Sequence, residues 1–315
     1  MAKVLVTGGL GFIGSHTAER LAGLGHEVIG IDNFSPYYDI KLKQLNAAAI
    51  ERKGVTIKTL DLRTAPLDTL LSLNFDFVFH FAAHPGISAT STFKDYLENN
   101  VMATQRLLTA IENCNNKPFF VNIATSSIYG LQATLAENAA PRPASWYGAT
   151  KLAAEQLVLA YCRRGLLHGT SFRLYSVYGP RERPDKLYTR LIGCGLNNTP
   201  FPLYRGSEKH VRSFTYVGDI VDGIVSAINN KTACNGEIFN LGTEVEKTTA
   251  TGIATVEELL KKTIAIKKTP PRSGDQSRTS ANIDKARKLL GYSPRTTLAA
   301  GLSAQIAWYK TTFVP

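Results

Sequence analysis

Cysteine is scarce in this chain, and its four cysteines are widely separated. Cys114, Cys162, Cys194 and Cys234 form no Cys-x-x-Cys pair, which argues against a zinc site or a redox-active dithiol. Reduced thiols in the core of a cytoplasmic protein are the simpler interpretation. We therefore expect no metal site and a cytoplasmic location.

Long apolar runs are also lacking. No segment approaches the ~18 consecutive apolar residues of a membrane span, and no charged-then-apolar leader precedes the first predicted strand, which starts at residue 3. The chain nevertheless has 315 residues, of which 44% are hydrophobic. That is enough for one large or two ordinary domains with a sizeable core. We expect no contact with a membrane.

Concentrated positive charge is absent, although the formal net charge is +11. The lysines and arginines are scattered singly or in pairs, without the basic tract or aromatic-flanked stripe of a nucleic-acid-binding surface. We interpret the net positive charge instead as the source of an electrostatic field that attracts a doubly anionic small substrate. We expect no nucleic-acid partner.

What the chain does have is a dinucleotide-binding fingerprint at its amino end. The run Val4-Leu5-Val6 leads into TGGLGFIG, an apolar helical stretch follows, and a second strand ends at Asp32. Gly8 permits the tight turn, Gly11 lets the backbone approach a pyrophosphate, and Gly14 lets helix and strand pack closely. The helix N-terminus would bind the phosphates. Asp32 would accept hydrogen bonds from the adenosine ribose, which favours NAD over NADP.

Strands and helices alternate along the first part of the chain, as in a parallel sheet covered on both faces. Further strands are predicted at 55–57, 75–80, 118–123 and 169–175, and helices near 95–114 and 146–164. Beyond Gly179-Pro180, prolines punctuate shorter elements. The pattern predicts an α/β fold: a Rossmann-type doubly wound parallel sheet with a smaller, mostly C-terminal α/β substrate domain.

The domain boundaries follow from the same pattern. We predict an NAD-binding domain formed by residues 1–175 plus about 211–241. The substrate domain then comprises about 176–210 plus 242–315.

The catalytic candidates are Tyr147 and Lys151. Their i, i+4 spacing places them on one face of a predicted helix. A lysine ammonium beside the phenol would lower the tyrosine pKa from ~10 toward neutrality and make Tyr147 a general base. Alone, such a pair is most often structural. Here it follows a dinucleotide fingerprint and a hydroxyl-rich strand end, Thr125-Ser126-Ser127.

Taken together, the motifs resemble the extended short-chain dehydrogenase/reductase family over nearly the whole chain. The resemblance is carried by TGxxGxxG, Asp32, Asp61-Leu62, His80-Phe-Ala-Ala83, Thr125-Ser-Ser-Ile-Tyr-Gly130 and Tyr147-x-x-x-Lys151. Later motifs resemble its nucleotide-sugar epimerase/dehydratase branch: Arg173-Leu-Tyr-Ser-Val-Tyr-Gly-Pro180, Arg181-Glu-Arg-Pro-Asp185, Arg212-Ser-Phe-Thr-Tyr216 and Arg272-Ser-Gly-Asp275.

The resemblance implies a cofactor, a mechanism and a set of site residues. Tyr147 would take the sugar O4′ proton while hydride passes from C4′ to NAD, with Lys151 and Thr125 as the other catalytic residues. The implied NAD-binding residues are Gly8, Gly11, Phe12, Ile13, Gly14, Asp32, Asn33, Asp61, Leu62, Ala82, Ala83, Asn100, Tyr147 and Lys151. The implied substrate-binding residues are Pro85, Gly86, Ser88, Thr125, Ser126, Ser127, Tyr147, Ser176, Arg183, Arg212, Arg272 and Asp275. Among these, Arg212 and Arg272 would contact the nucleoside diphosphate, and Asp275 the ribose.

The residues at the strand end indicate which reaction follows the 4-keto intermediate. By resemblance, 4,6-dehydratases carry an Asp-Glu pair, and UDP-glucuronate decarboxylases usually a Glu, where this chain has Ser126 and Ser127. Without an acid or base there, elimination is unassisted and hydride returns to the other face of the ketone. The expected reaction is therefore 4-epimerisation.

The choice of sugar rests on motif similarity. The Thr-Ser-Ser-x-Tyr-Gly motif, the IDNF…YYD segment and Ser176 resemble UDP-glucuronate 4-epimerases. Those enzymes usually have an arginine where this chain has Ser88. We expect UDP-glucuronate to UDP-galacturonate, with UDP-glucose or UDP-N-acetylglucosamine 4-epimerisation, UDP-glucuronate decarboxylation and nucleotide-sugar dehydration as alternatives. A non-catalytic NAD-sensing regulator is a remote alternative, because Tyr147 and Lys151 are intact.

The resemblance also implies an oligomeric state. Family members form homodimers through two helices per subunit, here the helices near 95–114 and 146–164. We adopt a homodimer as an expectation on that basis.

Overall fold

A computed structural model describes residues 1–88, 90–271 and 276–313 of the chain. In chain order its strands are β1 (Lys3–Thr7), β2 (Glu27–Asp32), β3 (Thr56–Thr59), β4 (Phe77–His80), β5 (Phe119–Thr125), β6 (Gln132–Ala133), β7 (Gly169–Leu174), β8 (Val177–Tyr178), β9 (Phe201–Tyr204), β10 (Val211–Arg212), β11 (Thr215–Tyr216), β12 (Ile238–Leu241), β13 (Lys247–Thr248), β14 (Ile266–Thr269) and β15 (Arg278–Thr279).

The α-helices lie between and after these strands. They are α1 (Phe12–Gly23), α2 (Ile40–Glu51), α3 (Leu67–Leu71), α4 (Phe93–Tyr96), α5 (Ala103–Glu112), α6 (Trp146–Arg163), α7 (Leu187–Leu196), α8 (Val217–Val225), α9 (Lys231–Cys234), α10 (Thr249–Leu260), α11 (Asp284–Leu290) and α12 (Leu298–Phe313). Within the described ranges, no helix is long and apolar enough to cross a membrane.

Seven strands form one parallel sheet in the order β12-β7-β5-β4-β1-β2-β3. The residues of β4, β5 and β7 are all buried, because helices cover both faces of the sheet. Strand β1 lies between β2 and β4, so the strand order reverses at its edge. Ligands of such sheets bind at the carboxyl ends of the strands beside this point. The expected α/β fold is confirmed.

The helix predicted near 95–114 is more irregular than its sequence suggests. It is divided into α4, a π-helical turn at Leu97–Met102, and α5. The π turn carries Asn100, which is buried and whose amide binds Thr150 on α6 and the backbone of His84. A widened turn at this point brings one polar side chain inward, a common use of π-helical turns near functional sites.

Smaller elements, all but β6 from the second half of the chain, cover the carboxyl ends of the main sheet. Strands β13, β10, β15 and β6 form one small sheet in that order, while β11 pairs with β8 and β14 with β9. Helices α7, α10 and α12 pack around a separate apolar core that contains Tyr188, Leu191 and Leu302. The space between this part and the main sheet is the candidate site.

Candidate active site

A cavity of about 570 Å³ lies over the carboxyl ends of β1, β2, β4, β5 and β7. Most of the residues predicted from the sequence line it. They are Gly8, Gly11, Phe12, Ile13, Gly14, Asp32, Asn33, Asp61, Leu62, Ala82, Ala83, Pro85, Gly86, Thr125, Ser126, Ser127, Tyr147, Lys151, Ser176, Arg183 and Arg212. The fold therefore brings together residues that are more than 200 positions apart in the chain, counting from Gly8 to Arg212.

The glycine turn between β1 and α1 packs so closely against the backbone that Gly8 and Gly14 can carry no side chain. Gly8 has φ +66°, and a Cβ there would lie 2.7 Å from the backbone nitrogen of Ala82. A Cβ at Gly14 would lie 2.3 Å from the carbonyl oxygen of Gly8. Gly11 precedes α1 and supplies no side-chain cap, so the first amides of the helix can serve an anionic ligand. This cradle fits the pyrophosphate of a dinucleotide.

At the end of β2, Asp32 is held by a cation that the sequence prediction did not include. Its Oδ1 accepts hydrogen bonds from Lys43 Nζ at 2.8 Å and from the amide of Phe34 at 2.9 Å. The side chains of both charged residues are almost fully buried. The pair fixes the carboxylate at the cavity wall, and Oδ2 provides the remaining acceptor capacity.

A second carboxylate, Asp61, borders the same end of the cavity. Arg63 approaches it to 2.7 Å and Asn33 Nδ2 to 3.1 Å. The hydrogen bonds from Arg63 hold the pKa of Asp61 well below its usual range. Asp61 is therefore an anion, and it supports Asn33 and Arg63 at the wall.

Tyr147 and Lys151 occupy one face of α6 at the bottom of the cavity. Burial raises the pKa of Tyr147, against the opposing effects of a hydrogen bond with Thr125, the charge of Arg183 and the backbone of Gly86. Burial also lowers the pKa of Lys151 to about 8, against the charge of Glu155. The pKa of Tyr147 is raised overall because desolvation of the phenolate outweighs the groups that stabilise it. The lowering of this pKa by Lys151 stays a prediction.

A buried ion pair anchors α6 behind Lys151. Glu155, one turn further along α6, accepts hydrogen bonds from Arg173 Nε at 3.0 Å and Nη2 at 2.6 Å. Arg173 Nη1 donates to the Tyr129 hydroxyl at 2.7 Å, and that hydroxyl donates to Asn240 Oδ1 at 2.9 Å. Two residues that carry the family resemblance, Tyr129 and Arg173, therefore join α6 to the sheet and do not line the cavity.

Hydroxyl groups surround the space beside Tyr147. Thr125 Oγ1 accepts a hydrogen bond from the Ser127 amide at 3.2 Å and also contacts Tyr147. Ser176, which has φ +37°, lies opposite with its Oγ 3.2 Å from Thr279 Oγ1. The strand end thus carries polar neutral groups where an elimination would need an acid or a base.

Arg183 closes this side of the cavity. Its guanidinium forms a bidentate pair with Asp185 at 3.0 and 2.9 Å and donates to the carbonyl of Pro85 at 3.2 Å. It also lies 5.2 Å from the ring centre of Tyr37. Arg183 therefore connects the loop before α7 to the loops after β2 and β4.

Two predicted residues lie away from the cavity wall. The Ser88 hydroxyl accepts hydrogen bonds from the amides of Thr90 and Ser91 at 3.2 Å each, so it stabilises its own turn. Asn100 is buried behind the cavity and joins the π turn to α6. The structure brings neither side chain to the cavity wall, because Ser88 is engaged within its own turn and Asn100 binds Thr150 and the backbone of His84.

Of the two arginine motifs in the second half of the chain, the structure describes the one that begins at Arg212. Arg212 lines the cavity, and its guanidinium donates to the carbonyls of Val211 and Gln276. Gln276 Nε2 in turn donates to the carbonyl of Gly130 at 2.7 Å. Arg272 and Asp275 lie outside the described residues.

Sequence reasoning missed several residues of the cavity. Tyr37, Tyr38 and Lys43 line it from the segment after β2, and the distinctive YYD sequence there was the available signal. Lys186 and Glu182 flank Arg183, but nothing in their spacing distinguished them from surface charges.

Comparison with known proteins places this geometry in a family. Residues 4–242 match the model of the NAD-dependent epimerase/dehydratase family. The chain belongs to that family. This match confirms the resemblance to the nucleotide-sugar epimerase/dehydratase branch that the sequence motifs indicated. It also confirms the predicted NAD dependence and the epimerase-type fold.

Individual relatives cover almost the whole chain. An uncharacterized UDP-glucose epimerase of Bacillus subtilis, YtcB, is 37% identical over 318 residues, covering 99% of each chain. UDP-glucuronate 4-epimerase 1 of Arabidopsis thaliana is 33% identical over 331 residues, covering 98% of this chain and 76% of the plant protein. A UDP-glucuronic acid 4-epimerase of Bacillus cereus, solved with UDP-glucuronic acid and NAD, is 34% identical with a TM-score of 0.93, covering 99% of this chain and 100% of its own.

Proposed function

We propose that this chain is an NAD-dependent 4-epimerase of a UDP-sugar, with UDP-glucuronate and UDP-galacturonate as its substrate pair. The observation that carries the proposal is the set of neutral hydroxyls from Thr125, Ser127 and Ser176 around Tyr147. A 4-keto intermediate held there has no positioned carboxylate at residues 126 and 127 to promote elimination. The remaining course is return of hydride to C4′ on the other face of the ketone, which gives the 4-epimer.

The residues of the glycine cradle fit NAD. The amides at the start of α1 would hold the pyrophosphate, and Asp32 would accept hydrogen bonds from the adenosine ribose hydroxyls. The Asp32–Lys43 pair keeps that carboxylate in place. When bound, NAD would accept a hydride from the sugar C4′ and give it back.

The side chains beside the sugar would move and hold protons. The Tyr147 hydroxyl oxygen takes the proton from sugar O4′ and returns it after the sugar has turned. Lys151, cationic below its pKa, favours the phenolate, and Thr125 orients the phenol through their hydrogen bond. Arg212, beside Gln276, would bind diphosphate oxygens.

A neutral UDP-hexose is the second candidate substrate. Ser88 stands where UDP-glucuronate 4-epimerases usually carry an arginine, and its hydroxyl is engaged in a local turn. The similarity to the Bacillus subtilis protein, which is described as a UDP-glucose epimerase, supports the same alternative. The two candidates differ only in the substituent at C5′.

A panel of substrates tests the proposal. The purified protein is incubated with UDP-glucuronate, UDP-glucose and UDP-N-acetylglucosamine, and the products are identified by NMR. We expect conversion of UDP-glucuronate to UDP-galacturonate at the highest kcat/KM. Turnover restricted to the neutral sugars would contradict the proposal.

We further propose a homodimer, supported by apolar side chains on the two helices that the sequence analysis selected. Phe93, Met102 and Trp146 are each about half exposed, at 46%, 49% and 57%, and the rings of Phe93 and Trp146 contact each other edge to face. Such a cluster is typical of a protein–protein contact. Light scattering should give the mass of two chains; the mass of one chain would contradict this.

The division into an NAD-binding and a nucleotide-sugar-binding domain, with the boundaries given above, stays a proposal. It is supported by the position of β12 in the main sheet and by the separate core around α7, α10 and α12. A cytoplasmic location is likewise proposed, supported by four free cysteines within the described residues.

A further inference from the structure

A series of buried hydrogen bonds runs from the glycine turn to α6, with His80 at its centre. His80 is the last residue of β4, and its Nδ1 lies 2.8 Å from Thr7 Oγ1 while its Nε2 lies 2.9 Å from Thr104 Oγ1. We call this series the His80 network. Its side chains are each at most 3% exposed, and they belong to Thr7, His80, Asn100, Thr104 and Thr150.

The hydrogen bonds determine which nitrogen of His80 carries the hydrogen. Thr104 Oγ1 donates to the Asn100 carbonyl at 2.7 Å, so it accepts from His80, and the hydrogen of the neutral ring lies on Nε2. Nδ1 then accepts from the Thr7 hydroxyl, whose oxygen accepts from the Ala82 amide at 3.2 Å. Burial lowers the pKa of His80 to about 3, so the ring is neutral at physiological pH.

One end of the His80 network lies at the predicted cofactor turn. Ala82 lines the cavity, and a Cβ built on Gly8 would lie 2.7 Å from the Ala82 amide nitrogen. Thr7, which immediately precedes Gly8, accepts a hydrogen bond from that same amide. The Thr7 hydroxyl therefore joins the end of β1 to the backbone after β4 at the point where the glycine turn begins.

The other end of the His80 network reaches the backbone of Tyr147. Asn100 Nδ2 donates to Thr150 Oγ1 at 3.0 Å. That hydroxyl shares its hydrogen between the carbonyls of Trp146 at 2.9 Å and Tyr147 at 3.2 Å. The first turn of α6, which carries Tyr147, is therefore connected through the π turn to β4 and the glycine turn.

We propose that His80 is a positioning residue that holds the cofactor turn and the backbone of Tyr147 at a fixed separation. In the proposed reaction, hydride leaves C4′ and a proton leaves O4′ of the same sugar, so a small error in this separation would slow both transfers. His80 lies behind the wall and exchanges no proton with the ligands. The inference rests on the proposed function, since hydride transfer is its kinetic readout.

Substitutions at Thr104 interrupt the His80 network and preserve its shape. Thr104→Val removes the hydroxyl between His80 and Asn100, whereas Thr104→Ser keeps it. Single-turnover rates of UDP-glucuronate with hydrogen or deuterium at C4′ report the hydride step, and calorimetry gives the Kd of NAD. We expect Thr104→Val to slow the hydride step about tenfold at an unchanged Kd of NAD. Thr104→Ser should keep nearly the parent rate.

The matched control is Thr170→Val. It removes another fully buried threonine hydroxyl of the main sheet, one that donates to the Glu237 carbonyl. It should cost stability but leave the hydride step unchanged. A parent-like rate in Thr104→Val, a Thr104→Ser protein as slow as Thr104→Val, or equal slowing by Thr170→Val would overturn the proposal.

Two further measurements on the NAD-bound protein do not depend on turnover. Nitrogen NMR of histidine-labelled protein, with the His80 signals assigned through His80→Gln, should show a neutral ring with its hydrogen on Nε2. Amide hydrogen exchange in Thr104→Val should become faster at residues 80–84 and also at 146–151, and in Thr170→Val at neither segment. A hydrogen on Nδ1, or exchange unchanged at either segment in Thr104→Val, would overturn the role of His80.

The proposed function and the role of His80 can fail separately. An unmutated protein that does not turn over any UDP-sugar refutes the proposed function, and the NMR and exchange measurements then decide whether the His80 network joins the two segments. Turnover by the unmutated protein with a parent-like rate in Thr104→Val supports the proposed function and refutes His80 as a positioning residue.

Discussion

Tyr147 is the residue on which the proposed chemistry depends most directly. Tyr147→Phe removes the acceptor of the O4′ proton and leaves the ring in place. We expect NAD binding and thermal stability to be retained, and kcat to fall by ~10²–10⁴, as for loss of a general base. Kinetics with UDP-glucuronate measure the effect. Near-normal kcat would assign the proton to another residue.

The role of Lys151 should be visible in the dependence of kcat on pH. The pKa of Lys151 is lowered by burial to about 8, so its ammonium supports the Tyr147 phenolate at neutral pH and below. Removal of this charge in Lys151→Met leaves burial to raise the pKa of Tyr147 further. We expect the rise of kcat with pH to move to more alkaline values, with a lower kcat at neutral pH. An unmoved profile would show that Lys151 does not set the protonation of Tyr147.

Asp32 should determine the choice between NAD and NADP. Asp32→Ala would remove the ribose acceptor but leave the ammonium of Lys43, its partner, which would attract the 2′-phosphate of NADP. We expect NAD to bind ~10–100-fold more weakly, from loss of a charged hydrogen bond, and NADP to approach it in affinity. Calorimetry with both cofactors measures this. Glu27→Ala, at the exposed start of β2, is the control, and tighter NADP binding by the unmutated protein would refute the role of Asp32.

Helix α12 and the loop before α7 meet through one buried carboxyl group. Glu182 accepts hydrogen bonds from Gln305 and Thr189, and burial raises its pKa to about 7. Above that pH the folded protein carries the cost of a buried charge, because the same group is already ionised in the unfolded chain. Stability from this site is therefore lost as pH rises from the ordinary glutamate pKa to about 7.

Glu182→Gln should remove that cost. We compare the Tm of the variant with the Tm of the parent at two pH values. The Tm of the variant should gain on that of the parent between about pH 5.5 and about pH 8, since the amide does not ionise. Thermal unfolding at both pH values measures the difference. An equal difference in Tm between variant and parent at the two pH values would show that Glu182 does not titrate in the folded state.

The elements differ in how far their sequences predict them. Strands such as β5 and β7 are continuous buried runs, and α6 has a regular pattern with a Ser145 cap, so local sequence defines them. The π turn at Leu97–Met102 is not predictable in this way. It is accompanied by hydrogen bonds that Asn100 accepts from the His84 amide and donates to Thr150, and these partners come from other parts of the chain.

At the scale of the whole molecule, the glycine cradle and the α6 pair were predictable because short motifs define them. The ion pair between Asp32 and Lys43 was not, since it depends on how α2 packs on the sheet. Nor was the engagement of Ser88 in its own turn, or the hydrogen bond from Arg183 to the Pro85 carbonyl, which joins the loop before α7 to the loop after β4.

The central claim is that the cavity reverses the configuration at C4′ of UDP-glucuronate without losing its carboxyl group. UDP-glucuronate deuterated at C4′ tests it most directly, with the products followed by NMR and released CO₂ measured. We expect UDP-galacturonate that retains deuterium at C4′, formed reversibly and without added NADH. CO₂ as the main product, or loss of the deuterium to solvent, would contradict the account.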